Sequence, residues 1–251
     1  MSLQINNYTA PDNLLDNRII LVTGAGDGIG YATAMRYARH GATVILVDKE
    51  ESALETLYDK IEQAGYPTPV LIPLDPIQCT AEVAQNMAHH LDEEFSQLDG
   101  LVHCASQLDT LTPIEHYDTQ SWTRVIQVNL NTPFFITHAC LPLLKRAPQA
   151  TILFTSSQVA RQGQAYWGAF ATAGFGIEGF MQVLAKELED NSTIRVNSLD
   201  PGPIQTAQRR RAYPGEDPSR LPKPEDITGH YLYLMGPAGR KLHGQALTVE
   251  I

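Results

Sequence analysis

The stretch Arg18-Ile19-Ile20-Leu21-Val22-Thr23-Gly24-Ala25-Gly26-Asp27-Gly28-Ile29-Gly30 decides the fold. An apolar run of strand length stops at a cluster of glycines. A helical pattern follows, in which Ile29, Ala32, Met35 and Ala38 recur every three residues on roughly one face. Strand, glycine turn and helix together make a place to hold a phosphate. Glycine lets the backbone approach closely, and a helix N-terminus offers free N–H groups and a partial positive charge. The spacing is T-G-x-x-x-G-x-G on Thr23, Gly24, Gly28 and Gly30. A strict G-x-G-x-x-G does not fit, because Ile29 and Tyr31 stand where its last glycine would fall. A tight turn without a ligand could use the same glycines, so the next strand matters. Ala42-Thr43-Val44-Ile45-Leu46-Val47 ends in Asp48, an acid placed to accept hydrogen bonds from a ribose 2′-OH. The same acid would repel a 2′-phosphate, which favours NAD(H) over NADP(H), with Lys49 offsetting part of that repulsion.

The chain has 251 residues and a net charge of −10. Its length suits one large domain with a sizeable core. The acidic balance argues against a general nucleic-acid or anionic-membrane surface. No apolar run reaches transmembrane length, and Met1–Asp16 lacks the character of a leader. Cys79, Cys104 and Cys140 form no C-x-x-C and are odd in number, so reduced thiols in a cytoplasm are expected, with no disulfide frame and no metal site.

Residues 1–17 form an N-terminal arm, and residues 18–251 a single dinucleotide-binding domain. Helical patterns over Glu51–Ala64, Thr80–Ser96, Ser121–Leu144 and Gln164–Glu189 alternate with apolar strand runs. Those runs are Val70–Leu74 before Asp75, Leu98–Cys104, Thr151–Thr155, Ile194–Ser198 and Ala246–Val249. The alternation predicts an α/β fold: a Rossmann-type, doubly wound parallel sheet of about seven strands with helices on both faces.

These residues carry a resemblance over almost the whole chain, to the classical short-chain dehydrogenase/reductase family. Thr23, Gly24, Asp27, Gly28, Ile29 and Gly30 match its cofactor turn, and Asp75 its adenine-contacting acid. Asn129 matches the asparagine of the long fourth helix, and Ser157 in Thr155-Ser156-Ser157 the strand-end serine. Pro201, Gly202, Ile204 and Thr206 match the segment bordering the nicotinamide, and His243–Val249 the closing strand. The turn and Ser157–Gly163 look most like the YciK-like branch of bacterial oxidoreductases. The resemblance implies reduction of carbonyls or oxidation of alcohols. A tyrosine moves the proton, a lysine four residues later lowers its pKa and holds the ribose, and a serine fixes the substrate oxygen. A free phenol titrates near 10, so the cation is needed.

Two anchors locate that pair. Leu184-Ala185-Lys186-Glu187 matches the family's L-A-x-E, which puts the tyrosine position at residue 170; counting forward from Ser157 gives the same place. This chain has Phe170 there and Gly174 at the lysine position. Phenylalanine keeps a ring but has no exchangeable proton, and glycine removes the charge. Cys104-Ala105-Ser106 stands where the family has N-A-G, and Cys104 is either a reactive thiol or a small inert core residue. Arg209-Arg210-Arg211 is either an attractor of anionic substrates or a solvated helix face.

Three functions remain open from sequence. One is a nominal oxidoreductase that binds NAD(H) but is weak or inactive. Another is an active enzyme using Ser157 and Asn129 with Tyr166 or water. The last is a structural protein with an empty cleft. A homodimer or homotetramer is expected, because Phe175, Ile177, Phe180, Met181 and Leu184 are too many large apolar groups for one buried stripe.

Overall fold

A computed structural model describes residues 1–5 and 8–250. The first strand is β1 (Ser2–Leu3), followed by β2 (Ile19–Thr23), α1 (Gly28–Arg39), β3 (Thr43–Asp48) and α2 (Glu51–Gln63). Next come β4 (Val70–Pro73), α3 (Ala81–Glu94) and β5 (Gly100–His103). A long helical rod follows: α4 (Thr119–Ile126), a π-helical turn (Gln127–Asn131) and α5 (Thr132–Arg146). The chain continues through β6 (Thr151–Thr155), α6 (Gly168–Leu188), β7 (Arg195–Asp200), α7 (Ala207–Ala212), α8 (Pro224–Met235) and β8 (Gln245–Val249).

All strands are parallel, in the order β1-β8-β7-β6-β5-β2-β3-β4. The sheet has eight strands. The one beyond the expected seven comes from the arm, where Ser2 and Leu3 lie in register with Thr248 and Val249. Two residues carry no alternation, so that strand is not legible in the sequence.

Central strands read as continuous apolar runs because both faces are covered. Ile20, Leu21 and Val22 have no exposed surface. One core layer packs α1 and α8 on the sheet, with Tyr37, Tyr231 and Leu232 at its centre; the other packs α3, α5 and α6 around Ile136, Phe154 and Met181. The expected apolar excess on α6 shrinks accordingly. Ile177, Met181 and Leu184 are buried in the chain's own core, while Phe175 and Val183 are exposed. Chain order reverses between β2 and β5, so the C-terminal ends of these strands open onto the crevice where doubly wound sheets hold ligands. Among the described residues, no helix is long and apolar enough to cross a membrane.

Candidate active site

The glycine turn sits at the end of β2. Gly24 has φ +70, and a Cβ there would meet the main-chain nitrogen of Ala105 at 2.6 Å. A Cβ on Gly30 would lie 2.0 Å from the Gly24 carbonyl oxygen, so that helix position admits only glycine. Asp27 caps α1, its carboxylate accepting from Gly28 N–H at 2.7 Å. The N–H groups of Ile29 and Gly30 have no acceptor among the described residues. Two free donors on the first turn of a 12-residue helix, beside bare glycines, fit a pyrophosphate.

Asp48 ends β3, as expected, but its carboxylate turns back on the protein. Oδ2 accepts from Gly26 N–H at 3.0 Å and Oδ1 from Glu50 N–H at 3.1 Å. Lys49 is exposed beside it, with Nζ 3.5 Å from Glu50. Asp75 lies beyond β4, half-buried, with Oδ1 accepting from Ile77 N–H at 2.9 Å.

On the opposite side of the turn, Thr23 is 3% exposed. Its Oγ1 accepts from Cys104 N–H at 3.2 Å and Ala105 N–H at 3.3 Å. Thr23 therefore ties the end of β2 to the segment after β5. The Cys104 thiol is pushed up to about 12 by burial, against a hydrogen bond with Thr155 at 3.2 Å. That upward shift and the hydrogen bond favour a core cysteine over a reactive one.

Asn129 lies in the π-helical turn, a feature the sequence pattern does not announce. Its Oδ1 accepts from Gln107 N–H at 2.8 Å and its Nδ2 donates to Gln107 carbonyl at 2.7 Å. Both ends of the amide hold the loop after β5, and the extra residue in the turn aims it there.

Ser157 follows β6, half-buried, and its hydroxyl has no hydrogen-bond partner among the described residues. A 3₁₀ turn, Gln158–Ala160, leads away from it. Phe170 and Gly174 lie on consecutive turns of α6. The ring of Phe170 meets Trp167 edge-on at 5.6 Å, and Trp167 meets Tyr213 at 6.0 Å. Val159 and Ala171 complete this apolar cluster, with Leu108 and Leu111 against it. Tyr166 is 58% exposed and has φ +75. It does not join the cluster around Phe170.

Glu178, one turn beyond Gly174, was not singled out by its sequence context. It is 6% exposed. Its carboxylate accepts from Ser156 Oγ at 2.6 Å, Arg161 Nε at 2.9 Å and Ser198 Oγ at 2.8 Å. Arg161 also donates to Thr248 at 2.9 Å and Ser198 at 3.1 Å. An acid four residues after Gly174, on the face of α6 that meets the sheet, is the signal that could have found it.

Pro201 and Ile204 are buried beyond β7, and Gly202 donates its N–H to Asp200 at 2.9 Å. Burial raises the Asp200 pKa. Thr206 caps α7, its hydroxyl accepting from Arg209 N–H at 3.1 Å. Its methyl faces the glycine turn, 3.5 Å from where a Cβ on Gly28 would stand. Of the arginine cluster, Arg210 and Arg211 are exposed. Arg209 forks onto Glu216 at 2.7 and 2.8 Å and lies 3.7 Å over the Tyr213 ring. That hydrogen-bonded pairing raises its pKa. Arg209 thus ties α7 to the loop that follows it.

The profile of the family described as short chain dehydrogenase matches residues 18–217. The uncharacterized oxidoreductase YciK of Escherichia coli K12 is 43% identical over 244 residues, covering 97% of this chain and 96% of that protein. A short chain dehydrogenase structure from Shigella flexneri 2a, complexed with NADP, superposes with a TM-score of 0.92 at 43% identity, covering 95% of this chain and 99% of that one. One from Escherichia coli CFT073, complexed with NADPH, gives 0.92 at 44% identity, covering 95% and 98%. These two complexes overturn the expected preference for NAD(H) over NADP(H). The physical reason lies at Asp48. Main-chain donors already engage both of its oxygens, and the next residue, Lys49, is exposed, with its ammonium 3.5 Å from Glu50.

Proposed function

The chain belongs to the short chain dehydrogenase family, and on that premise we propose an NADP(H)-binding protein in which ordinary carbonyl–alcohol hydride transfer is weak or absent. When bound, NADP(H) supplies a hydride donor or acceptor at its nicotinamide. The protein's own residues would do the rest. The free N–H groups of Ile29 and Gly30 hold the pyrophosphate, Lys49 meets the 2′-phosphate, and Asp75 accepts from the adenine. Pro201, Gly202, Ile204 and Thr206 border the nicotinamide. Ser157, with its unengaged hydroxyl, orients a carbonyl oxygen. Phe170 then has no proton to give, and Gly174 no charge with which to tune one.

The observation that carries this reading is the setting of Phe170. Its ring packs against Trp167 in an apolar cluster, where a general acid would need a hydroxyl turned to the cleft. Asn129, which matches the family in sequence, gives both ends of its amide to Gln107 and so serves the loop. The rival, an enzyme acting through Tyr166, has little support, because that side chain is largely in solvent. Calorimetric titration with NADPH, alongside turnover on a panel of aldehydes, ketones and alcohols, tests the proposal. Binding with at most trace turnover is expected. Robust turnover would remove the proposal, and its loss in Tyr166→Phe would establish the rival.

The same proposal includes self-association. Phe134 on α5 and Phe175 and Val183 on α6 are 44%, 48% and 57% exposed, and Phe134 and Phe180 link the two helices at 5.5 Å between rings. A second copy of this chain, presenting the same helices, would cover them. A cytoplasmic location accords with three free cysteines.

A further inference from the structure

We infer that Ala160 is the residue that keeps position 174 bare, and so keeps any cation out of the floor of the cleft. The consequence for chemistry rests on the reading of Phe170 and Gly174 as the tyrosine and lysine positions; the steric claim does not.

A Cβ built on Gly174 would lie 2.5 Å from Ala160 Cβ and 2.9 Å from Ala160 Cα. Real side chains do not approach so closely, so one partner must give way. Neither is free to. Gly174 sits inside the 21-residue helix α6, next to Ala173, which has no exposed surface, and one turn before the pinned Glu178. Ala160 is 2% exposed, and its N–H donates to the Ser157 carbonyl at 3.0 Å. The next residue, Arg161, is anchored through Glu178, Ser198 and Thr248 to α6, β7 and β8. The 3₁₀ turn is therefore clamped from behind while its methyl presses on the helix.

Two other glycines of α6 give the contrast. A Cβ on Gly176 would meet only the tip of Leu130, a flexible end, and one on Gly179 would meet nothing within 4 Å. At Gly174 the obstacle is a methyl on a fixed backbone. A lysine there would have to displace the turn that begins at Ser157. Restoring the family's pair thus requires three changes, because the loss of the lysine is coupled to a residue fourteen positions earlier in the chain.

The sign of one substitution tests this. Gly→Ala inside a helix normally stabilises it. Gly179→Ala, facing open space, should raise the melting temperature by about 2–4 °C. Gly174→Ala should instead lower it, by on the order of 5 °C. The double variant A160G/G174A moves one methyl across the contact and gives the turn the freedom of glycine. It should melt above Gly174→Ala and within about 2 °C of the parent. Gly174→Ala melting at or above the parent, or the double variant melting no higher than Gly174→Ala, overturns the inference. Turnover with NADPH on a carbonyl panel then separates the two levels. A160G/F170Y/G174K should exceed F170Y/G174K by roughly 10-fold or more. If the melting pattern appears and the folded, NADPH-binding triple variant gains nothing, the steric lock stands and the assignment of residues 170 and 174 falls.

Discussion

Removing the Glu178 carboxylate should cost this protein more than most surface or core changes, and the structure sets the size. The carboxylate takes three donors, from Ser156, Arg161 and Ser198, and its side chain is 8% exposed. In Glu178→Ala the two hydroxyls lose their acceptor, and the guanidinium keeps only Thr248 and Ser198. Breaking a buried ion pair from one side costs about 3–5 kcal/mol, because the remaining charge stays uncompensated. Arg161 is 23% exposed, so water recovers part of that, and about 3 kcal/mol is expected. For a chain of this size that is roughly 6–12 °C in melting temperature. Urea unfolding at unchanged m-value is the assay. Glu178→Gln, which keeps an acceptor but loses the charge, should fall between the variant and the parent. Arg161→Met combined with Glu178→Met should cost less than the sum of the single changes, since neither charge is left alone. A loss under about 1 kcal/mol in Glu178→Ala, or strict additivity in the double variant, would show that the network is not the coupled unit drawn from its geometry.

Three further outcomes are expected. Lys49→Glu should weaken NADPH binding about 10-fold while leaving NADH nearly unchanged, because only the former carries the 2′-phosphate; equal losses for both cofactors in calorimetry would exclude Lys49 from that contact. His103 is buried, stacked on Phe154, and desolvation lowers its pKa from 6.5 to about 3. The unfolded chain therefore binds a proton that the native one refuses. The resulting contribution is intact above about pH 6.5 and is lost as pH falls below it, the loss reaching about 2 kcal/mol by pH 5. His103→Gln should flatten unfolding free energy over that interval, and an unchanged pH profile would count against a neutral buried imidazole. Phe175→Asp should shift the protein toward monomer in light scattering at micromolar concentration; a parent that is already monomeric there removes the α5–α6 face as an interface.

What the sequence discloses is what local chemistry writes into it. Ile19–Gly30 gives a strand, a turn and a helix start in one reading, and Gly24 and Gly30 are glycine for reasons a neighbour's backbone makes absolute. Counting between two landmarks on one continuous segment proposes Phe170 and Gly174 as the paired positions, which the carbonyl-panel assay tests. The misleading residue was Asp48. An acid at a strand end reads as an open acceptor, yet its oxygens fold back onto Gly26 and Glu50, and no periodicity reports which way a carboxylate turns. The π-helical turn at Asn129 is equally silent, because the partner of its amide, Gln107, lies 22 positions away in the chain.

Ala160 is the sharper case. In sequence it is an alanine in a turn; its meaning exists only where the turn meets α6. The same physics explains why an apparently free glycine at 174 is not free. With the turn held by Arg161 and Glu178, each of these residues constrains the next: Glu178 fixes Arg161, Arg161 fixes the turn, and the turn fixes what position 174 can hold. On the proposed reading of Gly174 as the lysine position, a site that lost its lysine under such a constraint would close behind the loss. If residues 170 and 174 are the tyrosine and lysine positions, recovery of the reaction requires a coordinated change in two elements, α6 and the 3₁₀ turn before it, while the proposed cofactor cradle with its free donors can persist beside a floor without a cation.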